Sequence, residues 1–430
     1  MKRIGLSLAL LLLPLSAASD VLRIEIVEGV TGAAPIAVVL EWEGRGQPPQ
    51  AVDEIINANL ARTGRFSPLK ADAFPQRPSS PGDVNYRRWR EAGVDHLLIG
   101  RYGPREGGGY EVRFYLLDVL RESQLVAYRI PAPSDGLRRV AHRVSDIAWE
   151  AVTGQAGAFD TRLAYVNARE VDGAQEYRLM VADSDGHNAR PIVVSRQPLM
   201  SPAWSPDGRQ LAYVSFEGRR SQVVVQDLAT GERERVSTRA GINGAPAWSP
   251  DGRRLALALS DSGDVNIHVM DMASRELTRL TRGSAIDTEP AWSPDGERLA
   301  FTSDRGGAPQ VYEYNFDNAQ VRRLTFDGGY NARPRYRADG RSLAVVHGHR
   351  GRYMIGAVDL DSRSLRLLSE GPLDESPDFA PNGAMVIYAA RRGGQGELAT
   401  VSFDGQARQR LSSAEGEVRE PAWSPLRSRD

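Results

Sequence analysis

Pro202-Ala203-Trp204-Ser205-Pro206-Asp207-Gly208 returns unchanged at 246–252 and again at 290–296. Weaker copies are Pro-Arg-Tyr-Arg-Ala-Asp-Gly at 334–340 and Pro-Asp-Phe-Ala-Pro-Asn-Gly at 377–383, and Pro-Ala-Trp-Ser-Pro stands at 421–425. The aromatic positions are Trp204, Trp248, Trp292, Tyr336, Phe379 and Trp423, spaced by 44, 44, 44, 43 and 44 residues. A period of roughly 40–50 residues built from short strands is that of a β-propeller blade. Each unit reads as an aromatic strand, a Pro-Asp-Gly turn, a nearly continuous apolar strand such as Leu-Ala-Tyr-Val at 211–214, an alternating strand and a short outer strand. The first apolar strand, Leu-Ala-Tyr-Val at 163–166, has no aromatic strand before it, and the last aromatic strand, at Trp423, has no apolar strand after it. Six of each, offset by one, predict a ring closed by strand exchange between its two ends, which leaves no open edge.

Outward from the repeats the grammar changes. Candidate strands at 23–27, 36–40, 96–102, 111–117 and 125–130 alternate with candidate helices at 51–63, 84–92 and 135–152. The last of these is expected to be capped by Ser134 and stopped by Gly154. The fold class is therefore mixed: an N-terminal α/β domain followed by an all-β six-bladed propeller. The expected divisions are a signal peptide at 1–18, the α/β domain at 19–153, a linker at 154–159 and the propeller at 160–430. Lys2 and Arg3, a twelve-residue apolar run from Ile4 to Leu15 and small residues at 16–19 carry the signal reading, with a cut after Ala18. That run is shorter than the roughly 20 residues a membrane-spanning helix needs.

Composition narrows the function. Apolar residues make up 41% and charged residues 25%, ordinary for a folded chain, and cysteine is absent, so no disulfide supports the fold. A formal charge of −1 gives no basic face for nucleic acid. No Gly-x-Ser-x-Gly elbow is present, and the one lysine after the signal, Lys70, precedes the propeller. The histidines form no His-Glu-x-x-His motif; His347 and His349 share a strand face, and Asp183-Ser184-Asp185-Gly186 faintly echoes a calcium loop without its later ligands. Neither a metal nor another cofactor is expected, and no catalytic residue is assigned. The alternative class is a propeller accessory or a lyase- or peptidase-related protein acting outside the cytoplasm.

All six aromatic strands are entered through a residue directly before proline: Ser201, Ala245, Glu289, Arg333, Ser376 and Glu420. Proline confines its predecessor to extended backbone, so the pattern predicts six rigid, extended positions ringing one mouth of the central channel.

The signal, the α/β domain and the repeats together resemble the TolB family, periplasmic components of the Tol-Pal system of Gram-negative bacteria. More specific than the repeats themselves are residues 197–208, Asn-Gly-Ala-Pro at 243–246, Thr-Glu-Pro at 288–290, Pro-Gln-Val-Tyr at 309–312, Leu-Asp-Glu at 373–375, and 380–383 with 385–388. The resemblance implies a non-enzymatic, periplasmic protein, monomeric when free. It would bind the lipoprotein Pal through the propeller face, and through Pal associate peripherally with the outer membrane. It implies a role in outer-membrane integrity and its invagination during cell division. On the family pattern Ala245, Thr288 and Glu289 lie at Pal-contacting positions, and with Ser201, Arg333, Ser376 and Glu420 of the ring and the neighbouring Ile242 and Asn243 they make up the expected Pal face; Ile242 departs from the histidine of many relatives. The segment implied for TolA is Val21, Leu22, Arg23, Ile24, Glu25, Ile26, Val27, Glu28, Gly29 and Val30, a looser match in which Glu25 and Val27 exchange polar and apolar character. The same segment reads equally as the first strand of the α/β domain, and its alternation suits addition to a partner's sheet edge.

Overall fold

The computed structural model describes residues 23–28 (by backbone pairing), 32–260, 263–413 and 416–427; the signal sequence, Val21, Leu22, Gly29 and Val30 lie outside them. Strand β1 is Arg23–Glu28. The α/β domain follows as β2 (Ala34–Trp42), α1 (Val52–Arg62), β3 (Phe66–Pro68), α2 (Tyr86–Glu91), β4 (His96–Pro104), β5 (Tyr110–Asp118), β6 (Ser123–Ala132) and α3 (Leu137–Thr153). Its sheet runs β3-β2-β4-β5-β6, with β2 parallel to β3 and β4 and the rest antiparallel. The apolar stripe of α3 (Leu137, Val140, Ala141, Val144, Ala148) packs with Ile56 and Leu60 of α1 on one sheet face. α3 starts at Leu137 and Ser134 does not cap it: Gly136 N–H bonds Pro133 O at 2.9 Å, so residues 133–136 form a turn that uses up the cap position. The stop is as expected, with Gly154 left-handed at φ 74°.

Six four-stranded blades follow, and the ring closes as the offset repeats require. Glu417–Trp423 is the inner strand of blade one, antiparallel to Arg162–Val171 in the order Glu417–Trp423, Arg162–Val171, Ala174–Asp183, Arg190–Ser195. The other inner strands are Leu199–Trp204, Asn243–Trp248, Asp287–Trp292, Tyr330–Tyr336 and Asp374–Phe379. The second strand of each blade is buried on both faces, which is why it reads as an unbroken apolar run. The Pro-Asp-Gly turn is held by its own polar atoms: Ser205 Oγ donates to Asp207 Oδ1 at 2.6 Å, and Gly208, at φ 67°, donates its N–H to Ser205 O. Neighbouring blades are clasped by arginines lying over the aromatic of the next repeat, Arg162 over Trp204 at 4.7 Å and Arg254 over Trp292 at 4.4 Å.

Blade six has a fifth strand. Its order is Asp374–Phe379, Met385–Arg392, Gln395–Ser402, Arg408–Ser412 and then β1, with Arg23 opposite Ser412 and Ile26 opposite Gln409. The N-terminal strand therefore does not open the α/β sheet, whose edge is held by the parallel β3; it lies on the outer edge of a propeller blade. Nor is the linker a loose joint. Asp146 accepts N–H bonds from Phe159 at 2.7 Å and Asp160 at 3.1 Å, Asn382 Nδ2 donates to Ala156 O at 2.9 Å, and Ala158, Phe159 and Thr161 are buried.

Candidate protein-binding mouth of the channel

All nine residues expected for Pal line one cavity of about 380 Å³ at one end of the channel, with Met200, Phe216 and Arg335. The backbone that puts them there differs from the expected one. The six residues before proline are not extended; they hold φ of 50° (Ser201), 46° (Ala245), 54° (Glu289), 51° (Arg333), 54° (Ser376) and 53° (Glu420). Each sits in a β-bulge, where the ladder to the second strand skips, as between Thr288 and Ala291. Proline has no N–H for the ladder, so the pair before and at proline drops out of register. Its predecessor escapes the disfavoured right-handed region by turning left-handed rather than staying extended. Sparsely populated backbone of this kind costs about 1–3 kcal/mol per residue and concentrates at functional sites. Six copies around one mouth make the strain a property of that mouth.

Charge at the mouth is satisfied internally along one side. Arg333 Nε meets Glu289 Oε1 at 2.8 Å, its backbone N–H donates to Glu289 Oε2 at 2.9 Å, and its other nitrogens reach Ser376 Oγ and Glu420 Oε1, the latter at 3.4 Å. Thr302 Oγ1 also donates to Glu289 Oε2, at 2.8 Å, and Glu420 Oε2 accepts the Ser201 N–H at 3.0 Å. The two carboxylates lift the Arg333 guanidinium above its usual range against the opposing effect of burial, which is the largest influence on it. Asn243 is turned inward: it is fully buried, bonded to Ser237 Oγ at 2.6 Å and to the carbonyls of Ser221, Arg239 and Gly241. It shapes the loop and offers no side-chain contact. Asp287, Asn331 and Asp374 hold the equivalent buried position in blades four to six, Asp287 gripped by Arg305 at 2.9 and 3.0 Å.

What the other side of the mouth presents is apolar. Met200 and Ile242 line the mouth beside Ala245 and Thr288 and are 37% and 49% exposed; Ile286, two residues before Thr288 and outside the lining itself, is 52% exposed. Met200 and Ile286 escaped the sequence reading, though Ile286 lies one repeat of 44 residues after Ile242 and that offset was available to find it.

A metal has no evident seat here or elsewhere among the described residues. His347 Nδ1 bonds Asn331 Oδ1 at 3.0 Å, which occupies that nitrogen, and Asp183–Gly186 is a hairpin turn. His142, Asp183 and Asp185 do bring ligand atoms within 4.8 Å of one another. Asn59 Nδ2 donates to His142 Nδ1, which leaves the ring proton on Nε2 facing Asp185, and Arg62, Arg138 and Arg427 crowd the two carboxylates. Burial holds His142 neutral, with its pKa near 3. Three guanidinium groups oppose a cation there; the cluster pins the α/β domain to blade one, together with Arg62 bonding Ser184 O at 3.0 Å.

The family model described as the TolB beta propeller domain matches residues 149–427, and that of the TolB amino-terminal domain matches 22–125. The chain belongs to the TolB family. It is 63% identical over 425 residues to the Tol-Pal system protein TolB of Thioalkalivibrio sulfidiphilus, covering 98% of each chain. To that of Methylococcus capsulatus it is 62% identical over 404 residues, covering 94% of each. Its fold superposes on the crystal structure of TolB from Acinetobacter baumannii with a TM-score of 0.88 at 39% identity, covering 94% of this chain and all of that one. Among the described residues no helix is long and apolar enough to cross a membrane.

Proposed function

We propose that this TolB-family chain is a non-enzymatic periplasmic component of the Tol-Pal system. It holds Pal on the channel mouth built by the six bulged residues, and offers residues 21–30 to TolA. Through Pal it associates with the outer membrane, and it supports that membrane's integrity and its inward movement at division. The segments assigned to this role are the signal peptide at 1–18, the α/β domain at 19–153 less Arg23–Glu28, which pairs with blade six, the linker at 154–159 and the propeller at 160–430.

One observation supports the mouth above all: its ionic groups neutralise one another while Met200 and Ile242 remain open beside Ala245 and Thr288. A catalytic channel needs polar groups left free to act on substrate; a binding surface needs fixed shape and an apolar patch rimmed by polar groups. For TolA, the support is the place of β1 on an outer edge, where a strand can exchange one partner for another. Calorimetric titration of the mature protein with the soluble domain of Pal, and separately with the periplasmic domain of TolA, tests both. Saturable 1:1 heats are expected; their absence with Pal overturns the mouth assignment.

A further inference from the structure

The α/β sheet is covered unevenly. One face lies under α1 and α3. On the other, Trp89 of α2 covers Ala37, Val39, Leu97, Ile99 and Leu117, the half nearest one end of the strands. Past Ile99 that face carries a line of charge, met at Arg101 by Ser79 of the loop before α2. Glu41 on β2 stands opposite Arg101 on β4, Arg101 opposite Arg113 on β5, and Arg113 opposite Arg129 on β6. Three guanidinium-bearing residues thus sit on adjacent strands, about 4.8 Å apart per step. Like charges directly opposite each other weaken a sheet, a cost that Glu41, Glu43 and Glu111 offset.

Ion pairs steady the row without covering it: Arg101 meets Glu41 at 3.8 Å and Glu43 at 3.3 Å, and Arg113 and Arg129 share Glu111. The side chains of Arg101, Arg113 and Arg129 are 48%, 55% and 62% exposed, whereas Glu111 lies beneath them at 15%. Glu111 accepts from Arg113 Nε at 2.5 Å and from Arg129 Nε at 2.9 Å, and the Arg113 bond first of all holds its carboxyl below the usual range. One carboxylate shared by two guanidinium groups steadies them and leaves their outer N–H groups facing solvent. Arg101 is steadied by Ser79 Oγ at 2.7 Å and Glu43 at 3.3 Å. The row floors an open groove of about 490 Å³ that ends at Pro104, Arg105 and Glu106.

We propose that this groove is a second docking surface, separate from the channel mouth, for a protein helix carrying a stripe of carboxylates. Spacing selects the helix. The row spans two strand steps, about 9.6 Å; helical carboxylates at i, i+4 and i+7 span about 10.5 Å, whereas alternate residues of a strand reach about 13.6 Å. The planar guanidinium fork matches carboxylates with paired hydrogen bonds. Glu41 and Glu43 at one flank and Glu106 at the hairpin repel a uniformly anionic surface such as a bilayer, and favour a partner whose acidic stripe is bordered by basic residues.

The test uses the full-length mature protein and a labelled alanine-based helical peptide with Glu at i, i+4 and i+7, read by fluorescence anisotropy in low salt. A peptide of the same composition with the stripe scrambled is the control, and vesicles of phosphatidylglycerol are a third arm. The striped peptide binds, salt weakens it, and the scrambled one binds at least several-fold less. Arg113→Gln with Arg129→Gln weakens binding about tenfold, the scale of two exposed charged contacts. Because that pair leaves Glu111 without partners, Arg101→Gln, which spares Glu111, serves as the second variant and also weakens binding. Equal binding of striped and scrambled peptides, wild-type affinity in both variants, or binding to the vesicles but not to the striped peptide overturns the proposal.

Discussion

Trp423 Nε1 donates to Thr161 Oγ1 at 2.9 Å, joining two residues 262 apart in the sequence. Ser424 adds a reciprocal pair with Arg162, giving its N–H to Arg162 O and accepting the Arg162 N–H on Oγ, both at 2.8 Å. Deleting residues 421–430 takes Ala422 and Trp423 from opposite Ala164 and Leu163, halves the inner strand and bares Leu163 and Tyr165. The expected outcome is a melting temperature many degrees lower, with binding of a hydrophobic dye. Trp423→Ala alone costs about 3 kcal/mol, the usual scale for losing a packed indole. A truncated chain that melts like wild type rejects the closure as a source of stability.

Glu289 and its neighbour Thr288 separate stability from binding. Glu289 accepts three hydrogen bonds, so Glu289→Gln, which keeps the shape, destabilises by about 1–3 kcal/mol. Thr288→Arg, beside the apolar arc, changes stability by no more than about 0.5 kcal/mol and abolishes Pal binding. Chemical denaturation and calorimetric titration of both variants check this; wild-type affinity in Thr288→Arg moves the contact elsewhere.

Asp146 gives the linker a pH signature. Burial, aided by Asp160, raises its carboxyl from 3.8 to about 6, against the pull of the Phe159 and Asp160 N–H groups and Arg62. A folded pKa above the unfolded one means the stabilising contribution is whole below pH 3.8 and lost as pH rises through 6. Asp146→Asn removes that dependence. The melting temperature of wild type minus that of the variant should therefore fall between pH 4 and pH 7; a rise contradicts the assignment.

Removing residues 21–30 takes away one edge strand and no blade. The truncated protein keeps its circular-dichroism spectrum, melts within a few degrees of wild type and loses TolA. In the intact chain, TolA binding by strand capture speeds hydrogen exchange along Arg408–Ser412. TolA affinity unchanged by the truncation makes β1 a structural strand only.

The ring was legible because its signal is redundant: six aromatic positions at one period, each with a turn whose chemistry is local. The mouth was legible as a set of positions but not as a conformation. That Ser201 through Glu420 turn left-handed depends on a bulge, and a bulge depends on which strand lies alongside. The Arg333 hub was hidden for a related reason, since its partners stand 44, 43 and 87 residues away and meet only when the ring closes. β1 was misplaced because alternation announces a strand without naming the edge it joins. Ser134 failed as a cap because Pro133 and Gly136 make a competing turn.

Blade six runs without interruption from Ser376, on the channel wall, to Arg23–Glu28, at the perimeter of the molecule. Four inter-strand steps, about 19 Å, separate them. With the linker clamped by Asp146 and Asn382, the α/β domain is poorly placed to act as a swinging arm between the two ends. Tension applied to the chain's first strand is therefore felt along a single hydrogen-bonded ribbon, across its strands, by the residues that encircle the axis. A pull at the perimeter arrives at the wall of the channel as shear.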